Sequence, residues 1–534
     1  MTVPETTLPT LISPHARALP LLTLADLRIL ETQAAAALPP HTLMSRAGKA
    51  AASFLQEQIT RDTSIEKSKQ KVWLIAGPGN NGGDALVLAT ELHKAGIAVD
   101  LCMPIEVKPD DARWALDTAR AAGVAITTTP PASLDNYTWL VDGMFGIGLT
   151  RPLEGIFATV ARQLSQRTKA KPLKGGVLAL DTPSGLDSDT GTVVGPGPGE
   201  NQNDGPAVHA THTITFIGAK PGLFTAQGRD LAGSVTVAPI GIDSSARTAV
   251  QLNAPELFAT FLPPRDFATN KGTFGSLAVV GGDTGMCGAP ILASRAALYT
   301  GAGKVHVALL GEGAPPYDPP HPELMLHAVD DLPLDKMDAL AVGCGMGHRE
   351  RATRVMHDVL TLDVPKLFDA DALNLISNDP SLAADVTARG VQGDPCVLTP
   401  HPLEAARLLG TDAPGVQRDR LAAARALAAR FASVVVLKGT GTVIAAPDGR
   451  LAINPTGNAA LATGGTGDVL GGIIGALLAQ HVPRYEAALA GVYLHGLAAD
   501  TLSAQGHGPA GLTAGELAPM VRTLLNRLFY PTAD

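Results

Sequence analysis

The chain has 534 residues, 45% hydrophobic and 17% charged, with 57 Gly and 41 Pro. That composition excludes a disordered chain, and the length exceeds what one hydrophobic core organises, so two domains are expected. A formal net charge of -9 offers no basic face to a phosphate backbone and argues against nucleic acid as a partner. Cys102, Cys287, Cys344 and Cys396 show no C-x-x-C spacing, which argues against a zinc site or a disulfide scaffold and fits a reducing cytoplasm.

The opening residues, a tail of about twenty without periodic pattern, have the character of a disordered end. They lack the basic and apolar segments of a secretory signal. Thr23 to Ala37 then reads as a capped helix. Lys71 to Ala76 reads as a buried strand, Asp84 to Gly96 as a helix and Ala98 to Met103 as the next strand, followed by strands at Trp139 to Val141, Val177 to Leu180 and His212 to Ile217. The pattern pauses from Gly241 to Pro264, which sets domains of 1–245 and 246–534. A second series follows: a strand at Ser276 to Gly281, a helix at Ala289 to Tyr299, and strands at Lys304 to Leu309, Ala339 to Val342, Lys366 to Asp369, Cys396 to Leu398 and Val434 to Leu437. Alternation of this kind predicts parallel sheets with right-handed crossovers, an α/β fold in both halves. Gly195 to Pro206 and Gly311 to Pro322 read as surface loops. Val469 to Ala479, the longest apolar run, is too short and glycine-rich to span a membrane and reads as a core helix. A cytoplasmic protein without a membrane partner is expected, as a homo-oligomer.

Directly after the first strand comes G-P-G-N-N-G-G-D, Gly77 to Asp84, opening a helix. Glycines at such a turn admit close ligand approach, and helix N–H groups favour an anion. The spacing is not the G-x-G-x-x-G of a dinucleotide fingerprint. Asp142 in V-D-G-M-F-G-I-G-L and D-T-P-S-G-L-D, Asp181 to Asp187, follow later strands. In an open parallel sheet the carboxyl ends of neighbouring strands converge on one crevice. The oxygen donors Asn81, Asp142 and Ser184 carry one formal charge, which suits a weakly held monovalent cation better than magnesium or zinc. Taken singly, each of these residues is equally a turn former or a helix cap.

Together these motifs, with L-M-S-R-A-G at Leu43 to Gly48, resemble the NAD(P)H-hydrate epimerase family over about residues 20 to 243. The resemblance implies a Rossmann-like three-layer domain. It implies that Asn80, Asn81, Gly82, Gly83 and Asp84, with Gly146, Ile147, Gly148, Leu149, Thr150, Arg151 and Pro152, contact a hydrated dinucleotide. Asp181 would then stand at the nicotinamide ring and transfer a proton, and Asn81, Asp142 and Ser184 would hold potassium. Ala85 departs from the glycine usual there.

In the second half, N-K-G-T-F-G at Asn270 to Gly275 precedes a strand, and G-C-G-M-G at Gly343 to Gly347 follows one. V-V-L-K-G-T-G-T, Val435 to Thr442, runs from a strand into a hairpin-like turn with Lys438 at its edge. A-T-G-G-T-G-D opens the apolar helix, so Gly464, Gly465 and Gly467 bare the helix N-terminus to a polyphosphate and set Asp468 beside it. A carboxylate there can take the proton of a hydroxyl attacking a terminal phosphate. Its bland alternative is an acid that complements the helix dipole. His401 lies between two prolines on a turn after a strand, where ligand contact is favoured over packing.

These segments, with H-P-E-L-M, F-D-A-D-A-L-N and L-T-P-H-P-L-E-A-A-R-L-L, resemble the ribokinase-like superfamily and, within it, NAD(P)H-hydrate dehydratases over residues 265 to about 480. The resemblance implies a ribokinase-like α/β domain in which Ala289, Gly345, His401 and Asp468 contact the hydrated dinucleotide. Lys438, Gly439, Thr440, Gly441, Thr442 and Gly467 would hold the adenine nucleotide. Asp369 and Asp371, at the end of a strand, read either as positioning substrate or magnesium or as simply closing that strand. Asn270 stands where the family commonly has histidine. The activity implied is repair of hydrated NADH and NADPH: one domain interconverts the R and S hydrates, and the other dehydrates the S form with ADP as phosphoryl donor, releasing AMP, ATP being the alternative donor. Two other readings compete: a ribokinase-like small-molecule kinase fused to a dinucleotide-binding module, and an N-terminal domain that binds without catalysis.

Overall fold

A computed structural model describes the chain except residues 1–10, 12–16, 63–65, 67–68, 170–174, 196–204, 245–247, 313–315 and 531–534. Most of the expected N-terminal tail, much of the Gly195 to Pro206 loop, part of the Gly311 to Pro322 loop and the 245/246 boundary therefore lie outside the described residues. The chain divides into two compact units, Met1–Val250 and Gln251–Asp534.

The first unit holds a seven-stranded sheet: β1 (Lys71–Ala76), β2 (Ala98–Cys102), β3 (Ala125–Thr127), β4 (Trp139–Gly143), β5 (Gly176–Leu180), β6 (His212–Phe216) and β7 (Ser234–Ala238). Their order is β3-β2-β1-β4-β5-β6-β7, every neighbouring pair parallel. Strands running in the apolar register of K-V-W-L-I-A are buried on both faces, under two separate apolar clusters. The order reverses between β1 and β4, so a crevice opens beyond their carboxyl ends. The helix after β1 starts at Asn80, four residues earlier than expected, and runs to Lys94. Gly82 and Gly83 are consequently helical residues. A Cβ on Gly82 would lie 1.9 Å from the Gly77 carbonyl oxygen, and one on Gly83 would meet Met44 and Ala112 at under 3 Å. These glycines let a buried helix pack against its neighbours, a use the motif alone does not reveal.

The second unit's sheet comprises β8 (Val250–Leu252), β9 (Ser276–Gly281), β10 (Lys304–Leu309), β11 (Met325–Ala328), β12 (Ala339–Val342), β13 (Lys366–Phe368), β14 (Val397–Leu398), β15 (Val434–Leu437), β16 (Val443–Ala445) and β17 (Leu451–Ile453). The order is β11-β10-β9-β12-β13-β14-β15-β16-β17-β8. From β11 to β15 the pairing is parallel and reverses at β9 and β12, whereas β16 and β17 are antiparallel. The expected repetition of one architecture is thus modified by a hairpin edge. The apolar helix Thr466–Ala479 lies in the core of this unit and crosses the helix Gly288–Tyr299. Gly472 allows that crossing, since a Cβ there would stand 1.9 Å from the Ala293 carbonyl oxygen. No helix among the described residues is long and apolar enough to cross a membrane.

Candidate active sites

In the first unit the crevice is a cavity of about 1040 Å³. Its lining includes Asn80, Asn81, Asp84, the whole loop Gly146 to Pro152 and Asp181. Gly82 and Gly83 face packing partners instead.

Asp181 follows β5 in the left-handed region, φ +67°, a conformation that Asp tolerates better than most side chains. Its Oδ1 accepts from Lys220 Nζ at 2.6 Å and from the Phe216 amide at 3.3 Å, and its Oδ2 accepts from the Ile147 amide at 3.3 Å. Lys220 is 1% exposed and also donates to the Phe216 carbonyl at 2.8 Å. Sequence reasoning missed this lysine; the available signal was a cation in F-I-G-A-K-P-G just past a buried strand. A Cβ on Gly146 would lie 3.0 Å from Asp181 Oδ2 and 3.4 Å from Asn81 Oδ1, so the absence of a side chain brings these groups together.

Behind them, Asp142 Oδ1 accepts from the Ser184 hydroxyl at 2.6 Å and from the Met144 amide at 3.1 Å, while Oδ2 accepts from the Ser184 amide at 2.8 Å. Burial pushes the Asp142 carboxyl up to about 6 against the pull of these donors. Asn81, also buried, has no hydrogen-bond partner for either side-chain polar atom. Burial, with the Asp181 carboxylate next in effect, holds Asp84 well above and Glu31 above the usual carboxylate range. The chemistry this arrangement can do is proton transfer: one carboxylate held by a lysine faces two others whose protonated form burial favours.

In the second unit the loops after β12, β13, β14 and β15 meet the start of the helix Thr466–Ala479. Gly465 caps that helix at φ +89°, and Asp468 lies in its first turn. Thr466 Oγ1 donates back to the Leu461 and Thr463 carbonyls at 2.9 and 3.0 Å, fixing the turn. Lys438 Nζ donates to Asp369 Oδ1 at 2.6 Å, with Asp369 deeply buried. A Cβ on Gly467 would come within 3.6 Å of that ammonium and 3.9 Å of Asp369 Oδ2, so Gly467, Lys438 and Asp369 share one corner.

Burial raises Asp468 above the ordinary range, opposed by a hydrogen bond from the Cys344 thiol and reinforced by Asp369. The thiol in turn is pushed well up by burial and by Asp468 and Asp369, so it faces the carboxylate as a donor. Burial pulls Lys438 down, but Asp369 and Glu404 outweigh it and leave the ammonium firmly charged. Gly345 and Ala289 adjoin: a Cβ on Gly345 would sit 3.5 Å from Ala289 Cβ.

His401 has a structural role that sequence reasoning did not assign. Its Nδ1 accepts from the Leu403 and Glu404 amides at 3.1 and 3.3 Å, capping the helix Pro402–Leu409, and its own amide donates to Glu404 Oε2 at 2.8 Å. Burial and Lys438 lower its basicity, so the ring is a neutral, fixed donor at Nε2. Glu404 beside it is pushed up to about 7 by burial. Gly439 to Thr442 form the turn between β15 and β16, with Gly439 at φ +129° and Gly441 at φ +63°. Thr442 Oγ1 donates to the Gly439 carbonyl at 3.1 Å. Asp371 accepts from the Gly347 amide at 2.9 Å and lies 3.4 Å from His348 Nε2. Asn270 is an exposed turn former whose Oδ1 accepts from the Gly272 amide at 2.8 Å. The structure therefore gathers Ala289, Gly345, Asp369, Lys438, Gly467 and Asp468, with His401 on their border. This is a glycine-opened helix start with a carboxylate raised by burial and a buried cation.

A family model described as NAD(P)H-hydrate dehydratase matches residues 277–521, and one described as YjeF-related protein N-terminus matches residues 40–222. The bifunctional NAD(P)H-hydrate repair enzyme Nnr of Escherichia coli (strain K12) is 37% identical over 514 residues, covering 94% of this chain and 93% of its own length. The ADP-dependent (S)-NAD(P)H-hydrate dehydratase of Neisseria meningitidis serogroup B is 50% identical over 264 residues, 49% of this chain and 88% of its own. Among solved structures, an ADP/ATP-dependent NAD(P)H-hydrate dehydratase from Bacillus subtilis, co-crystallised with ATP/Mg2+, is 33% identical with a TM-score of 0.44, covering 51% of this chain and 97% of that one. Two domain matches in tandem and full-length relatives of the same build lead to one conclusion: the chain belongs to the family of bifunctional NAD(P)H-hydrate repair enzymes.

Proposed function

We propose that this chain repairs hydrated NADH and NADPH at two sites, the first unit interconverting the R and S hydrates and the second dehydrating the S hydrate at the expense of a nucleotide, ADP being the donor expected. The observation that carries the reading is Asp468, desolvated at a glycine-opened helix start beside the Lys438–Asp369 pair.

In the second unit Asp468 takes the proton from the hydrate's hydroxyl as its oxygen attacks the terminal phosphorus. The P–O bond to the nucleotide breaks, AMP departs when ADP is the donor, and the hydroxyl becomes a phosphate ester. That ester leaves with its electron pair while the ring loses a neighbouring proton, which restores the double bond. The amides opening the helix and Lys438 stabilise charge on the transferring group. Lys438, Gly439, Thr440, Gly441, Thr442 and Gly467 hold the nucleotide; Ala289, Gly345 and His401 hold the dinucleotide. Magnesium, when bound, neutralises phosphate oxygens, and Asp369 and Asp371 are the carboxylates available to it.

In the first unit Asn80 to Asp84 and Gly146 to Pro152 form the cavity wall and its packing support, and Asp181 exchanges a proton beside the ring. Potassium fits the donor set of Asn81, Asp142 and Ser184. Asn81 offers an unpartnered buried oxygen and Asp142 a carboxylate whose charge burial disfavours; a monovalent cation compensates both at one formal charge. The four free cysteines suit a cytoplasmic location.

The deciding experiment supplies mixed hydrate epimers with ADP or ATP and follows recovery of reduced-nicotinamide absorbance. Recovery with either donor supports the reading; none with both refutes the dehydratase.

A further inference from the structure

The first helix, Leu24–Ala37, presents Leu24, Leu27, Arg28, Glu31 and Ala35 to the cavity of the first unit. This spacing of three and four is one helical face, and Glu31 lies near its middle. Glu31 is half-buried and, among the described residues, makes no hydrogen bond or ion pair within contact distance. The charged groups that face it are Asp181 at the end of β5, Asp84 in the helix Asn80–Lys94, Lys220 beyond β6, and Arg28 one turn away on its own helix. Lys220 is already committed to Asp181 at 2.6 Å.

Inverting a hydroxyl-bearing ring carbon by loss and return of water calls for two proton-handling groups, an acid for the departing oxygen and a base for the arriving one. With its present partners Asp181 is set for one of these tasks at the start of a turnover. With Lys220 on Oδ1 and the Ile147 amide on Oδ2, both its oxygens are held as acceptors, the state of a base. The acid has to come from another wall of the cavity.

We propose that Glu31 is the second catalytic residue of the epimerisation, donating a proton to the leaving hydroxyl from the helix side while Asp181 receives the proton of the water that adds from the strand side. The C–O bond breaks with its electron pair going to the departing water, and the ring nitrogen's lone pair stabilises the cation left behind. A water molecule then forms the new C–O bond on the other face and gives its proton to Asp181. No electrons are gained or lost, and one proton passes from Glu31 to Asp181. The opposite epimer runs the same path with the roles exchanged, and solvent resets the two carboxyls between turnovers. Burial, with the Asp181 carboxylate next in effect, raises Glu31 above the usual carboxylate range and so favours the protonated form an acid needs.

The inference rests on the epimerase reading of this unit, and one set of assays separates the two. In the full chain, exchange between purified R and S hydrates is followed chromatographically against pH, with dehydratase activity as the control for folding. Wild-type exchange no faster than the uncatalysed rate would sink the epimerase reading itself. Given wild-type exchange, E31Q is expected to lower kcat at least 100-fold with KM changed less than threefold, and to abolish the fall in rate at high pH that reports the acid's deprotonation. An E31Q rate within threefold of wild type, or an unaltered alkaline limb, overturns the proposal. Should E31Q disturb the fold, E31D decides in its place: slowed exchange with the alkaline limb kept supports the assignment, and an unslowed rate overturns it.

Discussion

Asp468 and Asp142 are both carboxyls lifted by burial, with different consequences. A general base works only when ionised, so if Asp468 has the proposed role, dehydration declines as pH falls through its pKa, which lies above the ordinary carboxylate range. A pH–rate profile under saturating substrate should therefore show an acid limb displaced upward from about 4. Asp468→Asn should lower recovery of reduced nicotinamide by about 10³-fold or more while epimer exchange persists, as expected when a group acting only in the transition state is removed. Asp142 bears on stability. Its folded pKa of about 6 exceeds its unfolded value, so the fold binds the proton more tightly and loses stability as pH rises from about 4 to about 6. The loss is on the order of 3 kcal/mol before any ion binds. Potassium held beside Asp142 should offset it, raising the melting temperature of the first unit more at pH 7.5 than at pH 5; an equal effect at both would argue against the cation site.

At the scale of elements, much was legible because buried parallel strands announce themselves as apolar runs. Lys71–Ala76, Ser276–Gly281, Lys304–Leu309, Ala339–Val342 and Val434–Leu437 fall at the bounds read from sequence. Among the described residues six strands escaped notice: Ala125–Thr127, Met325–Ala328 and Ser234–Ala238 lie at sheet edges with polar or half-buried positions, Val250–Leu252 falls in the stretch read as a pause, and Val443–Ala445 and Leu451–Ile453 depend on a hairpin whose turn was read but not its return. Asp142, Lys438 and Asp468 stood out because each adjoins a glycine at a strand or helix end, and Asp181 because it opens D-T-P-S-G-L-D directly after a strand. Lys220 and Glu31 did not, since their meaning comes only from the cavity they share with Asp181. Gly472 shows the limit most plainly, for within an apolar run it looks like a mere break. Gly472→Ala should instead push against the Ala293 carbonyl and cost about 1–3 kcal/mol by overpacking. Denaturant unfolding followed on the second unit would measure it, and an unchanged midpoint would contradict the tight crossing.

For the whole molecule, two sites with separate proton-handling groups predict separable losses. Asp181→Asn should stop epimer exchange and leave dehydration of purified S hydrate, the converse of Asp468→Asn. Asn is the suitable replacement, since it accepts the left-handed backbone at that position. Mixed in one tube, the two single variants should together recover both epimers fully, because the S hydrate made by one protein is substrate for the other. Recovery limited to the S fraction would mean that the intermediate is not released.

The seam at Gly472 reaches further than its own energy. It lies one turn beyond Asp468, so the helix bearing that carboxylate is clamped to the helix Gly288–Tyr299 almost from its start. In terms of native-state hydrogen exchange, the amides from Leu470 to Ala476 should open only with the whole unit, leaving no cheap local fluctuation that displaces the carboxylate. Heat would then silence dehydration at the melting transition of that unit and not before, with no interval in which the protein is folded but idle.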